Sequence, residues 1–423
     1  MQKTRTNLFL FSTILLLSIS FGNVSAQNSL NSPYSRFGFG EISALSMHPY
    51  NNSMGGLSQA IRSDNMLNPQ NPASFSEIKS GSFIFDMGFL GEMSRLKANG
   101  QQSKTEGVAN ISHISFGFPI LSKYKMSFGL MPFSQVEYSS SQTNVRDSLG
   151  RVKESFSGTG GVNKIYWGHG VQITKGLSVG TNINLLFGKT DKTAAIEFLD
   201  STMYRNVHKK DIINVSDFTG SLGAQYRFSI KEKNQLTLGI TYTPSIKFNA
   251  SVDEMRYSYS STGVDTSVND NVKKSIRMPQ SIAAGIAYEQ KNKWLVGFDI
   301  TYTEWSKHLF LDEPLEFKKD NFLMSLGGEL KGDLSAMKYW NRISWRGGAH
   351  LESAKYVVDN QNVDDMGVHL GASFPIRRAR SMISLSLMYG KLGGAEGLIQ
   401  RDYFKIGVSF SACDRWFMQR KFD

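Results

Sequence analysis

The chain has 423 residues, a formal net charge of +11 and a single cysteine, Cys413. One cysteine excludes an internal disulfide framework and any metal site built from several thiolates. The positive charge is scattered along the chain and partly grouped in short basic turns such as 377–380. This distribution disfavours nucleic acid as a partner. Anionic lipid head groups or acidic envelope proteins fit it, and so do solvated turns without any partner.

The first 26 residues are predicted to form a secretory signal peptide, 1–26. Lys3 and Arg5 give a short basic start, 8–21 is an apolar run, and 24–26 (Val-Ser-Ala) is a small-residue cleavage site. The apolar run is too short for a comfortable transmembrane helix. We therefore expect an exported chain whose mature form begins at Gln27.

Residues 27–80 are predicted to form a compact N-terminal hatch. They hold four of the ten prolines and many Asn and Ser residues, without sustained alternation. A structureless stretch of this length is unusual unless it is functional or disordered. Its apolar residues, among them Tyr34, Met54 and Phe75, need a place of burial, and the lumen of a wide barrel would provide one.

Residues 81–413 are predicted to form an all-β, transmembrane antiparallel β-barrel. In 176–190 and again in 294–303, apolar and polar residues alternate. Side chains on a strand alternate faces, so these segments need an apolar environment on one side and a polar one on the other. Runs of about ten residues or more suit a tilted strand that crosses a bilayer, whereas soluble strands usually have about five or six.

Alternation and polar turns predict about fourteen strands in this region. The predicted spans are 82–97, 107–121, 124–140, 162–174, 176–198, 210–230, 235–256, 274–290, 293–308, 317–331, 342–357, 363–376, 381–392 and 401–413.

The predicted connections alternate between short turns and longer polar segments. Barrels of this kind place short turns in the periplasm and long loops outside the cell. An even strand number then puts both termini in the periplasm, with 414–423 as a periplasmic tail. The segments 141–161 and 257–273 are expected to be long, strongly polar outer loops. Pro132, Pro244 and Pro279 interrupt predicted strands, so each marks a strand end, a bulge or a lateral gap in the wall.

The sequence shows no motif that would make the chain an enzyme. Seven histidines are dispersed without the spacing of a metal site, so no cofactor or metal is predicted. Charged residues do fall on the polar, lumen-facing sides of predicted strands. These are Asp217, Arg227, Asp299, Arg346 and Glu352. They could anchor the hatch by charge-assisted hydrogen bonds or sit in water-filled space, where exposed pairs contribute little.

Several short motifs, in this order, resemble those of the FadL-like (OmpP-type) outer-membrane transporters of hydrophobic compounds, in the form common in Bacteroidetes. The motifs are Ser-Pro-Tyr-Ser-Arg-Phe-Gly at 32–38, Met-Gly-Gly at 54–56, Asn-Pro-Ala-Ser at 71–74, Met-Pro-Gln-Ser at 278–281, Asp-Ile-Thr-Tyr-Thr-Glu-Trp-Ser at 299–306 and Tyr-Phe-Lys-Ile-Gly at 403–407. Together they extend over most of the mature chain. The Asn-Pro-Ala run is similar to the hatch motif of that family.

The resemblance implies an outer-membrane channel that takes up small hydrophobic molecules past a hatch and through a lateral wall opening. It implies outer-membrane lipid and lipopolysaccharide as surroundings and a hydrophobic ligand as cargo. Phe37 and Phe39, with inward-facing residues near Pro132, are the expected pocket liners. Residues 71–73 (Asn71, Pro72 and Ala73) are expected to shape the hatch turn.

A second interpretation is a barrel that transports nothing. Relatives with this barrel serve secretion or outer-membrane assembly, so the resemblance also permits a subunit or scaffold of a multi-protein envelope complex. The polar outer segments, the basic periplasmic turns and the charged tail favour this alternative. The continuous hatch and the proline-marked strands favour the channel. A wall gap joined to an apolar tunnel, or a large contact surface on the barrel exterior, would distinguish them.

Overall fold

The structure is a computed structural model that describes residues 32–42, 45, 48–98, 102–201, 203–231, 233–314, 317–358, 360–376, 381–394 and 398–415. The predicted signal peptide and 416–423 of the predicted tail lie outside the described residues. Within those ranges, no helix has the length and apolar character needed to cross a membrane.

Fourteen long strands of the described residues pair antiparallel with their neighbours in chain order, and the last pairs with the first, so the sheet closes into a barrel. They are β1 (Ser82–Lys97), β2 (Lys104–Pro119), β3 (Tyr124–Arg146), β4 (Gly150–Gln172), β5 (Leu177–Phe198), β6 (Asn206–Lys231), β7 (Asn234–Thr243 and Ile246–Ser260), β8 (Gly263–Met278 and Ser281–Gln290), β9 (Trp294–Thr303), β10 (Asn321–Leu330), β11 (Ser344–Val358), β12 (Gln361–Pro375), β13 (Met382–Leu392) and β14 (Gln400–Arg415). β7 and β8 each consist of two halves, interrupted at Pro244 and Pro279. The predicted fourteen-stranded antiparallel barrel is confirmed, and its last strand continues two residues past the expected end at Cys413.

The two faces of the wall differ as the alternation predicts. On β5, Ile183 is exposed on the outside, while Ser178 and Asn182 are buried on the lumen side. On β9, Phe298 is exposed and its neighbour Asp299 is buried. An outer face of large apolar side chains suits lipid, and an inner face of polar side chains suits a filled polar lumen.

Four consecutive strands, β3 to β6, are far longer than a bilayer requires. They have 23, 23, 22 and 26 residues, whereas roughly 9–11 residues suffice to cross. The expected loops 141–161 and 257–273 are therefore wrong: β3 and β4 stay paired up to Arg146 and Gly150, and β7 and β8 up to Ser260 and Gly263. We call the extension formed by 138–160, 190–214 and 249–274 the rim.

The described part of 32–81 lies inside the barrel. It contains 3₁₀ turns at Pro33–Arg36 and Pro72–Glu77, one helical turn at Pro49–Asn52, and a short strand, Glu41–Ile42, that pairs with β3. Most of its described apolar side chains are buried; they include Met54, Leu57, Ile61, Leu67 and Phe75. We refer to this segment as the hatch.

Glycines on the lumen side of the wall let the hatch backbone come very close. A Cβ added at Gly239 on β7 would lie 1.9 Å from the carbonyl oxygen of Gln59, and one at Gly180 on β5 would lie 2.4 Å from Pro72. Neither backbone could move aside without disturbing its own neighbours. The hatch backbone therefore packs directly against the wall at these glycines, and no space is left between the two for further side chains.

Candidate functional site: the hatch, the wall gap and the buried charges

The ladder between β2 and β3 stops halfway up the wall. Pairing runs from Pro119 opposite Lys125 to Ile114 opposite Leu130 and ends there. Two residues later Pro132, which has no N–H to donate, leads into a bulge against β4. Above the bulge, β3 pairs with the hatch strand Glu41–Ile42 instead of with β2. We call the opening between 104–113 and 131–146 the wall gap.

A second ladder is interrupted at Pro244. The pairing of β6 with β7 ends at Asn214 opposite Ser251 and resumes only at Leu222 opposite Tyr242. An apolar cluster lies on the lumen side of this interruption. It is made of Phe39, Val162, Leu186, Ile213, Val215, Phe248, Ala250, Val252 and Ile276.

A cavity of about 120 Å³ lies behind the wall gap. Its lining is mixed: charged and polar groups come from the hatch (Glu41) and from β14 (Arg401, Tyr403 and Lys405), and apolar groups come from several elements. The apolar lining residues are Ile42, Leu45, Leu90, Pro132, Phe133, Met388 and Leu392. An engineered apolar cavity of roughly 150 Å³ is large enough for benzene, so volume alone would nearly admit one aromatic ring. The charged lining is what sets this cavity apart from an apolar pocket.

Arg401 ties the hatch to the wall at this cavity. Its guanidinium contacts the Glu41 carboxylate of the hatch and donates to Glu92 Oε1 on β1 at 2.6 Å. Lys405 Nζ reaches the other oxygen of Glu92 at 3.1 Å, and Ser32 Oγ donates to Glu41 at 2.6 Å. Burial alone would raise the pKa of Glu41, but Arg401 and the Ser32 hydroxyl hold it below its usual range.

A second chain of polar side chains runs from β11, β12 and β14 to the hatch. The Tyr403 hydroxyl donates to Asp365 at 2.6 Å, and His350 lies 3.7 Å from the same carboxylate. His350 Nδ1 is 2.7 Å from His369 Nε2, whose ring reaches Asn52 of the hatch at 2.9 Å. All of these side chains are buried. This chain and the Arg401 cluster hold the hatch through charged and polar groups, not only through apolar packing.

Three of the predicted lumen charges contact the hatch directly. Asp299 accepts hydrogen bonds from the backbone N–H groups of Ser58 and Gln59 at 2.7 and 2.8 Å. Arg227 donates to Glu77 of the hatch at 3.1 Å. Arg346 lies over the ring of the hatch residue Tyr50 at 4.1 Å.

The other two predicted lumen charges have wall partners among the contacts described. Glu352 accepts from Asn321 at 2.9 Å and pairs with Lys355 at 3.2 Å. Asp217 accepts from the N–H of its own neighbour, Phe218, at 2.7 Å. Three of the five predicted lumen charges therefore contact the hatch, and the other two have partners in the wall.

The Asn-Pro-Ala run forms a turn that docks on the wall. Asn71 Oδ1 accepts from the Ala73 N–H at 3.1 Å, and Asn71 Nδ2 donates to the Gln59 carbonyl at 2.7 Å and the Ala224 carbonyl of β6 at 3.4 Å. Pro72 opens the 3₁₀ turn that follows. These contacts are structural ones, within the hatch and against β6.

The structure does not bring the predicted pocket liners together in one cavity. Phe37 stacks on Phe317 with ring centroids 3.9 Å apart. Phe39 lies in the apolar cluster beside the β6–β7 interruption and packs near Phe133. Pro132 lines the charged cavity, whose lining includes neither aromatic residue.

The charged residues around the cavity were not singled out from the sequence. Glu92 and Arg401 lie on the lumen side of β1 and β14, where alternation with the outward Met93 and Phe404 would have placed them. Glu41 could not have been found in this way, since the hatch has no periodicity. Its partner Arg401 is 360 residues away in the chain.

Comparisons with known proteins agree on the barrel. The toluene transporter TodX of Pseudomonas putida superimposes with a TM-score of 0.53 at 15% identity, covering 89% of this chain and 99% of that one. A deltaS2 mutant of the TodX monoaromatic hydrocarbon channel gives 0.60 at 15% identity, covering 89% and 100%. A FadL homologue of Pseudomonas aeruginosa gives 0.56 at 12% identity, covering 90% and 100%.

At these identities the solved structures establish the fold, which the chain shares with hydrophobic-compound channels. A comparison with curated proteins gave no match. The family model described as BamG matches residues 8–423, which is nearly the whole chain and includes both the hatch and the barrel. The chain therefore belongs to the BamG family.

Proposed function

We propose that this chain is an outer-membrane barrel that serves as a non-transporting subunit of a multi-protein envelope assembly, with both termini in the periplasm. It would sit among outer-membrane lipid and lipopolysaccharide and act through protein contacts, not catalysis. The observation that carries the proposal is the rim, a paired β-structure that rises beyond the membrane-spanning height on β3 to β8. Such a wall offers a rigid, shaped surface to another protein.

Ion pairs between neighbouring strands stiffen the rim. The guanidinium of Arg151 on β4 binds the carboxylate of Asp200, which follows β5, with Nη2 2.6 Å from Oδ1. Lys274 on β8 pairs with Glu254 on β7. Single exposed pairs contribute little, but several on one sheet restrain it as a network. A stiff surface loses little entropy on binding, which favours a lasting protein contact over transient capture of a solute.

Exposed apolar side chains stand at the tips of this polar surface. Val145, Met203 and Val264 are 80%, 86% and 72% exposed, each near the turn of a rim hairpin. An apolar side chain this far from the lipid-facing belt gains most from burial against a partner. The tips are therefore the expected contact points of the assembly.

The charged cavity argues further against an apolar cargo at the wall gap. Arg401 and Lys405 are both paired with Glu92 at its lining, and a hydrophobic molecule there would offer these charges no hydrogen bond. Such a molecule therefore gains less beside these buried charges than it would in a wholly apolar pocket. A hydrophobic ligand would therefore bind poorly in this cavity, which is the one described cavity that adjoins the wall gap.

Affinity capture of the tagged native barrel in mild detergent, with mass spectrometry of proteins and lipids, tests the proposal. Stoichiometric envelope proteins should co-purify with the wild type, and a Met203→Lys, Val264→Lys double variant should release them. Met337→Lys is the matched control, because Met337 is 88% exposed but lies in the turn between β10 and β11, at the opposite end of the barrel. A barrel that purifies alone with a bound hydrophobic molecule would overturn the proposal.

A second candidate is the uptake channel for small hydrophobic molecules. The β6–β7 interruption favours it, because the cluster behind this opening is apolar and contains the hatch residue Phe39. Uptake of a radiolabelled aromatic hydrocarbon by cells with and without the barrel tests this candidate. Replacing Val215 by Asp, which puts a charge into the cluster, should abolish uptake if the route exists and leave the co-purifying proteins unchanged.

A further inference from the structure

Three buried side chains from three separate segments meet at the foot of the wall gap. His48 comes from the hatch, Asp86 from β1 and His113 from β2, and all three are at most 2% exposed. His48 Nδ1 lies 3.4 Å from Asp86 Oδ2, and His113 Nε2 lies 3.2 Å from Asp86 Oδ1. The two imidazole rings face each other with centroids 3.7 Å apart.

One donor atom from each side chain lies within 4.8 Å of the other two. Ligands of a tetrahedral zinc ion, with Zn–N and Zn–O bonds of roughly 2.0–2.2 Å, lie closer together than this limit, and the two His–Asp distances of 3.4 and 3.2 Å are of that order. Two imidazoles and one carboxylate are also a ligand set that zinc and its transition-metal neighbours accept, with a coordination position left for water. The arrangement thus matches a three-ligand metal site in both atom type and spacing.

Neighbouring groups hold two of these ligands in the orientation a metal needs. Ser112 Oγ lies 3.0 Å from His113 Nδ1, so the Nδ1–H can donate to the hydroxyl and leave the Nε2 lone pair directed at the cluster. Ser411 Oγ donates to Asp86 Oδ1 at 3.0 Å. Contacts of this kind fix the tautomer and rotamer of metal ligands.

The wall is also shaped around His113. Gly88 on β1 faces it, and a Cβ there would lie 2.6 Å from the imidazole Cε1. The β1–β2 register slips between Gly88 and Phe89, which turns the ring inward. His113 Nε2 is buried beside Asp86 without the alignment of a hydrogen bond to any described group.

We propose that His48, Asp86 and His113 bind a divalent transition-metal ion of the zinc class that fastens the hatch to β1 and β2. The ion would sit beside the point where the β2–β3 ladder ends at Ile114, and so it would set how firmly the hatch closes the wall gap. Lys164 is near enough to act electrostatically on His48, and its positive charge should moderate the affinity.

The test uses the full-length barrel, stripped of metal and then titrated with Co²⁺ and with Zn²⁺. Wild type should take up one ion per chain, show the visible absorption bands of low-symmetry Co²⁺, and melt at a higher temperature with Zn²⁺. His48→Gln and His113→Gln should lose all three responses. His208→Gln on the rim, where His208 stacks on Tyr257, should keep them. Heat-modified migration in electrophoresis checks that each variant is folded.

A His113→Cys variant separates loss of a ligand from loss of structure. A thiolate is a good ligand for Co²⁺, so this variant should bind again and add a sulfur-to-cobalt charge-transfer band. The proposal is overturned if the wild type takes up no stoichiometric Co²⁺ or Zn²⁺. It is equally overturned if the two glutamine variants bind as the wild type does.

Discussion

At the scale of single residues, Arg401 links the hatch to the wall through two carboxylates. Its guanidinium is shared between Glu41 of the hatch and Glu92 of the wall, and it is 3% exposed. A buried ion pair stabilises little compared with apolar packing, but losing one member leaves the other charge without compensation. Arg401 therefore adds little net stability compared with apolar packing, but its removal should destabilise the docked hatch strongly.

Replacing Arg401 by Met should loosen the hatch. Glu41 would keep its hydrogen bond from Ser32 and Glu92 its pair with Lys405, but both would lose the buried cation between them, which should cost about 3–5 kcal/mol. Limited proteolysis should then cut the hatch much faster while the barrel stays intact. Arg151→Met is the matched control, because the Arg151–Asp200 pair is exposed and exposed pairs contribute little. Equal protection of the hatch in both variants would contradict the role given to Arg401.

The Glu41 carboxylate makes hatch closure sensitive to acid. Its pKa is lowered in the folded protein, so the folded state binds its proton more weakly than the unfolded chain does. Its contribution is therefore complete above the ordinary glutamate pKa and is lost as the pH falls through the lowered value. Protease sensitivity of the hatch should rise on acidification across that window. Glu41→Gln should remove this part of the pH dependence, and an unchanged profile in that variant would argue against it.

At the scale of elements, the sequence predicts the strands that have one apolar face and misses the segments that have no such face. Ile183 and Phe298 alternate with Asn182 and Asp299, so β5 is found almost to the residue and β9 at its start, while the predicted end of β9 at 308 lies five residues past the observed end at Thr303. Parts of the rim lack this alternation, and the run Ser139-Ser140-Ser141 reads as a loop although it is strand. Hatch contacts such as Glu41–Arg401 depend on chain segments far apart in sequence, which no local pattern encodes.

The fit between hatch and wall can be tested at Gly239. A methyl group there would lie 1.9 Å from the Gln59 carbonyl oxygen, so Gly239→Ala should displace the hatch and destabilise its docking by about 1–3 kcal/mol. Gly107→Ala is the control, since its nearest neighbour would be an ordinary 3.6 Å away. Hydrogen exchange of hatch amides should rise in the first variant only. Unchanged exchange in Gly239→Ala would mean that the two backbones are not in contact.

At the scale of the whole molecule, three kinds of contact hold the hatch inside the barrel. Glycine-lined backbone contacts and Asp299 hold the hatch around Ser58–Gln59, Arg227 binds Glu77 near its C-terminal end, and the Arg401 cluster closes the side at the wall gap. The rim then stands above a lumen that is filled, not open. This combination suits a scaffold whose interior is a structural core and whose exterior carries the function.

A filled lumen predicts a barrel that conducts few ions until the hatch is loosened. In a planar bilayer, the wild type should show little conductance, because the hatch occupies the cross-section that water and ions would need. Arg401→Met should produce opening events, and in the wild type the rare openings should become more frequent on acidification, as Glu41 takes up its proton. Arg151→Met, with its change on the rim, should stay closed. A steady, pH-independent conductance of the wild type would mean that a permanent aqueous path exists beside the hatch, and the barrel would then have to be regarded as a pore.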